Sequence, residues 1–220
     1  MRKQQAGFTL IEIAIVLVII GLLLGGVLKW QELITSARVR NLISTQDGTK
    51  AAYFGFLDRY RALPGDYTGA VANIPGCAGC QAGNGNGQIL LNGAIVESIS
   101  AWEHLAKAGF ITGSYVYAAA DTAASTPTNP YGSFIQLIFD NVYREGAADT
   151  GTARHNLKTG ATIPSDILAE VDRKVDDGFA ATGQLRHSTF GPTTFATCTG
   201  AGGVWLSTTP FANCGGAVLF

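Results

Sequence analysis

Sixteen consecutive residues, Ile13 to Leu28, are built only from Ile, Leu, Val, Ala and Gly. Extended back to Phe8, the apolar segment covers 21 residues, or about 31 Å as an α-helix. That length matches the hydrocarbon core of a bilayer, whereas a secretory signal core is shorter. Arg2 and Lys3 precede the run, as they would in a signal peptide, but no small-residue cleavage site follows it, and "VLKWQEL" continues directly. One residue breaks the pattern. Glu12 puts a carboxylate inside the segment, where a charge is costly unless it finds a partner or performs a function. No proline occurs before Pro64, so the sequence predicts one helix from about Phe8 to Tyr60, ended by "LPGD" at residues 63–66.

The remaining composition bounds the rest of the chain. In 220 residues there is room for one sizeable domain and an appendage. A net charge of −1 argues against a nucleic-acid partner held by bulk electrostatics. Glycine is abundant (28 residues) and charged residues make up 14%, which describes a loop-rich, weakly charged head. Four cysteines, an even number beside a membrane-directed N-terminus, favour disulfides outside the cytoplasm.

The N-terminal stretch "KQQAGFTLIEIAIVLVIIGLLL" resembles the class III signal of type IV pilins and type II secretion pseudopilins. In that family a short basic leader ends in Gly, followed by Phe, a few apolar residues, Glu and the hydrophobic helix. The resemblance implies prepilin-peptidase cleavage after Gly7 and a new, N-methylated N-terminus at Phe8. It further implies that Glu12 of one subunit meets the Phe8 amine of a neighbour during assembly. It divides the chain into a leader (1–7), an N-terminal helix (8–60, with 8–28 as the transmembrane segment and filament core) and a globular head (61–220). The family's helix often carries a proline in its first half; here Gly21, Gly25 and Gly26 are the softest points. The same small residues also suit close helix packing in a membrane.

Within the second half of the helix, Ile34, Leu42, Ile43, Phe54 and Leu57 are expected to face the head. Arg38, Arg40, Asp47 and Asp58 are expected to face outward. "CAGCQAGNGNGQ" (77–88) reads as a surface loop. "GAIVESISAWEHLAKAGF" places Ile95, Ile99, Trp102 and Leu105 or Ala106 at helical spacing, ending at Gly109. "GSYVYAAA", "SFIQLIFDNV", "GGVWLSTT" and "GAVLF" read as strands of an antiparallel sheet. "PSDILAEVDRKVDDG" reads as a helix capped by Ser165 or Asp166, with Ile167, Val171 and Val175 on one face and Gly178 at its end. A long helix packed on a small antiparallel sheet is an α+β architecture, the pilin-like arrangement that the resemblance implies.

Chemistry-bearing motifs are sparse. "CAGC" has metal-knuckle spacing without a second Cys pair, lacks a βαβ context for redox work, and is followed by Gln81 rather than His. The reading is a local Cys77–Cys80 disulfide, with a reduced pair as the alternative. Cys198 and Cys214 are expected to pair, because "VWLS" and the turn-forming "TTP" let the chain double back between them. His104, His155 and His187 are expected on polar surface, one on a helix and two in loops. "GNGNG" lacks the strand–turn–helix context of a dinucleotide site. Asp172, Asp176 and Asp177 offer carboxylates to a hard cation such as calcium, as in the heads of some pseudopilins, but Arg173 and Lys174 lie between them and the favoured reading of the same residues is a solvated helix end. No catalytic residues converge and no cofactor is expected.

The implied function is structural: the subunit of an extracellular type IV pilus, a homo-oligomeric helical filament resident in the inner membrane before assembly and polymerised by the pilus machinery. The alternative is a periplasmic type II secretion pseudopilin, which the N-terminus does not separate from a pilin. A membrane-anchored periplasmic binding module is a third reading.

Overall fold

The computed structural model describes residues 9–92, 95–146, 150–190 and 194–220. The helix α1 runs unbroken from Leu10 to Tyr60. Two compact units divide inside it, the second beginning at Val39. In the first, an 18-residue window reaches a mean hydropathy of 2.8 with no buried residue. Apolar side chains all round a helix require an apolar surrounding rather than a one-sided core.

The second unit is the head, an α+β fold. Its elements are α1 from Val39 onward, α2 (Ala70–Asn73), β1 (Leu91–Asn92), β2 (Ile95–Val96), α3 (Glu97–Lys107), β3 (Gln136–Asp140), β4 (Arg154–Lys158), α4 (Ser165–Val175), β5 (Leu185–His187), α5 (Phe195–Cys198) and β6 (Gly216–Leu219). Four strands form one antiparallel sheet in the order β3-β4-β6-β5. The register aligns Leu137, Leu157, Val218 and Leu185 in one row across it. All four are buried. They share a core with the inward face of α1.

That inward face is Val39, Leu42, Gln46, Thr49, Tyr53 and Phe56, spaced alternately by three and four residues, one stripe of an α-helix. Of the predicted face, only Leu42 is fully buried. Ile34 and Phe54 are exposed, while Ile43 and Leu57 are half-buried. Two polar residues in the true stripe, Gln46 and Thr49, mask it in the sequence. The outward placing of Arg38, Arg40, Asp47 and Asp58 agrees with the structure.

Two strands lie where the sequence predicts them, β3 within "SFIQLIFDNV" and β6 within "GAVLF". "GSYVYAAA" forms no strand, and "GGVWLSTT" contributes a short 3-10 turn and isolated bridges at Val204 and Trp205. β4 and β5 were not anticipated, because "RHNLK" and "LRH" look polar. Their alternate residues serve opposite faces. Behind the sheet, the fully buried Lys158 ammonium reaches Asp140 at 2.8 Å and donates to the Val142 carbonyl at 2.7 Å. Burial lowers the Lys158 pKa, and Asp140 opposes that shift. A lysine here reads as loop in the sequence, yet it is core because its charge is paired.

Helix α3 is buried on every side from Glu97 to Leu105. Its Glu97, together with Asp66 from the loop after α1, holds the loops around it. The Asp66 carboxylate accepts from the N–H groups of Gly85 (2.6 Å), Asn86 (3.1 Å) and Gly87 (2.8 Å). Glu97 accepts from Asn84 (3.1 Å) and Leu90 (3.0 Å). "GNGNG" is therefore exposed above and anchored beneath by two buried acids. Gly65 sits at φ +87° with its missing Cβ aimed at the Glu97 carbonyl, and Gly83 lies against the Asp66 backbone. A side chain at Gly65 would push its loop off α3, and one at Gly83 would push the two loops apart.

Candidate functional site

The helix start carries the first candidate site. Thr9 precedes Leu10, the first helical residue. The Thr9 N–H and hydroxyl each donate to Glu12 Oε2 at 2.8 Å. The Glu12 N–H points back to Thr9 Oγ1 at 3.4 Å. This reciprocal pair is a capping box, satisfying donors that a helix N-terminus leaves open. Its Thr-x-x-Glu signature stands in the sequence as Thr9-Leu10-Ile11-Glu12, so Glu12 caps its own helix in addition to the assembly role the resemblance implies for it. Glu12 is thus fixed locally, with its carboxylate at the positive end of the helix dipole. Gly7 and Phe8, the expected cleavage site, lie outside the described residues.

The three aspartates at the end of α4 come together, with carboxylate oxygens within 4.8 Å of one another. Their bonding is specific. Asp172 accepts from the Trp205 indole N–H at 2.6 Å and the Gly178 N–H at 3.2 Å. Asp176 accepts from the N–H groups of Gln184 and of Leu185. Asp177 accepts from the Phe179 N–H at 2.8 Å and the Thr182 hydroxyl at 2.5 Å. Only Asp177 is exposed; Asp172 is fully buried, so a merely solvated helix end does not describe the cluster. These acids order the segment from Asp176 to Leu185 and tie α4 to Trp205.

Burial pushes the Asp172 pKa up to about 6; the Trp205 and Gly178 hydrogen bonds oppose this, and Asp177 and Asp176 add to it. The folded head therefore holds a proton that the unfolded chain, with an aspartate pKa near 4, has released. Its stability should fall as pH rises from about 4 to about 6 and level off above. The Asp172→Asn protein should lack this component, so wild type should lose on the order of 2 kcal/mol relative to it across that window. Urea midpoints of both proteins at several pH values check this; a difference that does not change between pH 4 and 7 would refute it.

All four cysteines are paired, Cys77 with Cys80 and Cys198 with Cys214, with Cα separations of 4.9 and 5.8 Å. Ser165, expected to cap α4, is its first residue, and Pro164 takes the cap position. The Ser165 hydroxyl instead donates to the Leu206 carbonyl at 2.5 Å and accepts from the Phe211 N–H at 2.9 Å. It fastens the loop between Cys198 and Cys214.

The histidines are not surface residues. His104 is fully buried in α3, accepting from the Gly65 N–H at Nδ1 (2.9 Å) with Nε2 2.8 Å from the Gln81 carbonyl. These partners select the neutral Nε2–H tautomer, and burial lowers the His104 pKa in the same sense. His155 lies in β4 between the rings of Tyr53 and Phe139. His187 is buried in β5 against Phe195 and Trp205. Among the described residues, none of the three histidines joins a group of three or more side chains placed to share a metal ion.

Residues 2–28 match the family model of the prokaryotic N-terminal methylation motif, the class III prepilin signal of type IV pilins and pseudopilins. No curated protein matches the chain, and no solved structure does.

Proposed function

We propose that this chain is the structural subunit of an extracellular type IV pilus, processed by a prepilin peptidase and polymerised through α1. The observation that carries the proposal is the methylation motif over residues 2–28, continued by an unbroken apolar helix with Glu12 in its first turn. Motif and helix together support the class of type IV pilins and pseudopilins, whose members are membrane-anchored before assembly. The disulfide-closed C-terminal loop, with Ser207 to Asn213 exposed, supports the pilus within that class, since it offers a filament a stable outer surface. A periplasmic type II secretion pseudopilin is the competing assignment.

In this mechanism the residues act by charge and shape. Cleavage after Gly7 removes Arg2 and Lys3, taking the formal charge from −1 to −3, and frees the Phe8 amine. That cation meets Glu12 of a neighbouring subunit as the apolar segments pack. The test is recovery of sheared surface filaments followed by N-terminal sequencing and mass spectrometry. The expected subunit begins at N-methylated Phe8. A subunit retaining Met1, or cut after Leu28, would refute processing at Gly7. Correctly processed subunit confined to the periplasm would favour the pseudopilin.

A further inference from the structure

The edge of the apolar segment has a chemistry of its own. Of the three tryptophans, Trp102 and Trp205 are buried (1% and 2% exposed), whereas Trp30 is 68% exposed. It stands two residues beyond Leu28, after Lys29, which is the first charge following Glu12. It lies along one side of the helix with Leu22, Leu23, Gly26 and Val27, so it continues the apolar surface. The Lys29 ammonium turns the other way along the chain, to Glu32 at 2.7 Å.

We propose that Lys29 and Trp30 form a lipid-interface anchor that fixes the depth of α1 in the bilayer before assembly. This rests on reading residues 8–28 as membrane-spanning. Tryptophan favours the headgroup level because its indole is apolar over most of its area and retains one N–H donor. Lysine there keeps its stem in the apolar layer and its ammonium in water. The anchor also accounts for Leu33 and Ile34, which are exposed one turn further on (62% and 41%). Four residues of helix rise only about 6 Å, so both remain within the headgroup layer. The polar pair Thr35 and Ser36 then marks the start of the aqueous phase.

The experiment uses the full chain reconstituted in phosphatidylcholine vesicles whose acyl chains are brominated either near the headgroup or near the bilayer centre. Trp102 and Trp205 are shielded by burial, so the quenchable fluorescence belongs to Trp30. Shallow bromines should quench more strongly than deep ones, and Trp30→Phe should abolish the quenching. Stronger quenching by deep bromines would overturn the proposal, as would no quenching of a chain that resists alkaline extraction. A chain that never enters the vesicle fraction would overturn the membrane reading itself and the anchor with it.

Discussion

Glu12→Ala is expected to leave precursor abundant in the membrane and processed, while lowering surface filaments by roughly tenfold or more. Insertion should be at least as efficient as in wild type, because the substitution removes the only charge between Lys3 and Lys29. Assembly should fail because the Phe8 amine then enters an apolar packing without a counter-charge. The capping box adds a control. Thr9→Ala removes the hydroxyl that bonds Glu12 Oε2 but leaves the carboxylate, so it should weaken only the first helical turn. If the charge pair governs assembly, Thr9→Ala filaments stay near wild-type levels while Glu12→Ala filaments do not. Equal losses in both variants would show that helix capping is what matters, and wild-type filament yield from Glu12→Ala would remove the charge-pair account. Immunoblots of membrane and sheared fractions make both comparisons.

The long helix and the motif that begins it were legible because they depend on local pattern. Sixteen apolar residues, an absent proline and Gly-Phe-x-x-x-Glu can be read without a partner in view. The head was legible only in class. β3 and β6 are apolar enough to declare themselves, but β4 is "RHNLK", and its strand character depends on Asp140 pairing the buried Lys158 from the neighbouring strand. The stripe of α1 was misplaced for a related reason: Gln46 and Thr49 lie in it, while the large Ile34 and Phe54 do not. His104 reads as surface because nothing local announces that Gly65 and Gln81 will bond both its ring nitrogens. Polar groups satisfied by distant chain segments hide the core from pattern analysis. The Thr9–Glu12 cap is the reverse case, a local signature overshadowed by the assembly role expected of the same glutamate.

The same long-range satisfaction decides what the late disulfide does. Cys214 exchanges backbone hydrogen bonds with Ile163, at 2.9 and 3.1 Å, two residues before β6 enters the centre of the sheet. Cys198 ends α5. The bond therefore ties α5 to the central strand, and the loop between them is held again by Trp205 on Asp172 and by Ser165 on Leu206 and Phe211. Breaking the bond in Cys198→Ser releases a closed loop worth about 3 kcal/mol of unfolded-chain entropy. It also leaves a buried hydroxyl and a thiol where a disulfide was packed. For a head of this size the melting temperature should drop by roughly 6–12 °C. Cys80→Ser opens a loop of sequence separation 3 rather than 16, so the entropic loss is smaller, about 2 kcal/mol in the same treatment. Cys198→Ser should consequently lower both the melting temperature and the yield of surface filaments more than Cys80→Ser. The polar contacts at Asp172 and Ser165 should keep the loop docked at low temperature, so the Cys198→Ser head is expected to fold natively and then melt early. Calorimetry on the two variants measures the difference. Equal melting temperatures, or a larger loss in Cys80→Ser, would show that the tie between α5 and the central strand is not what holds the head.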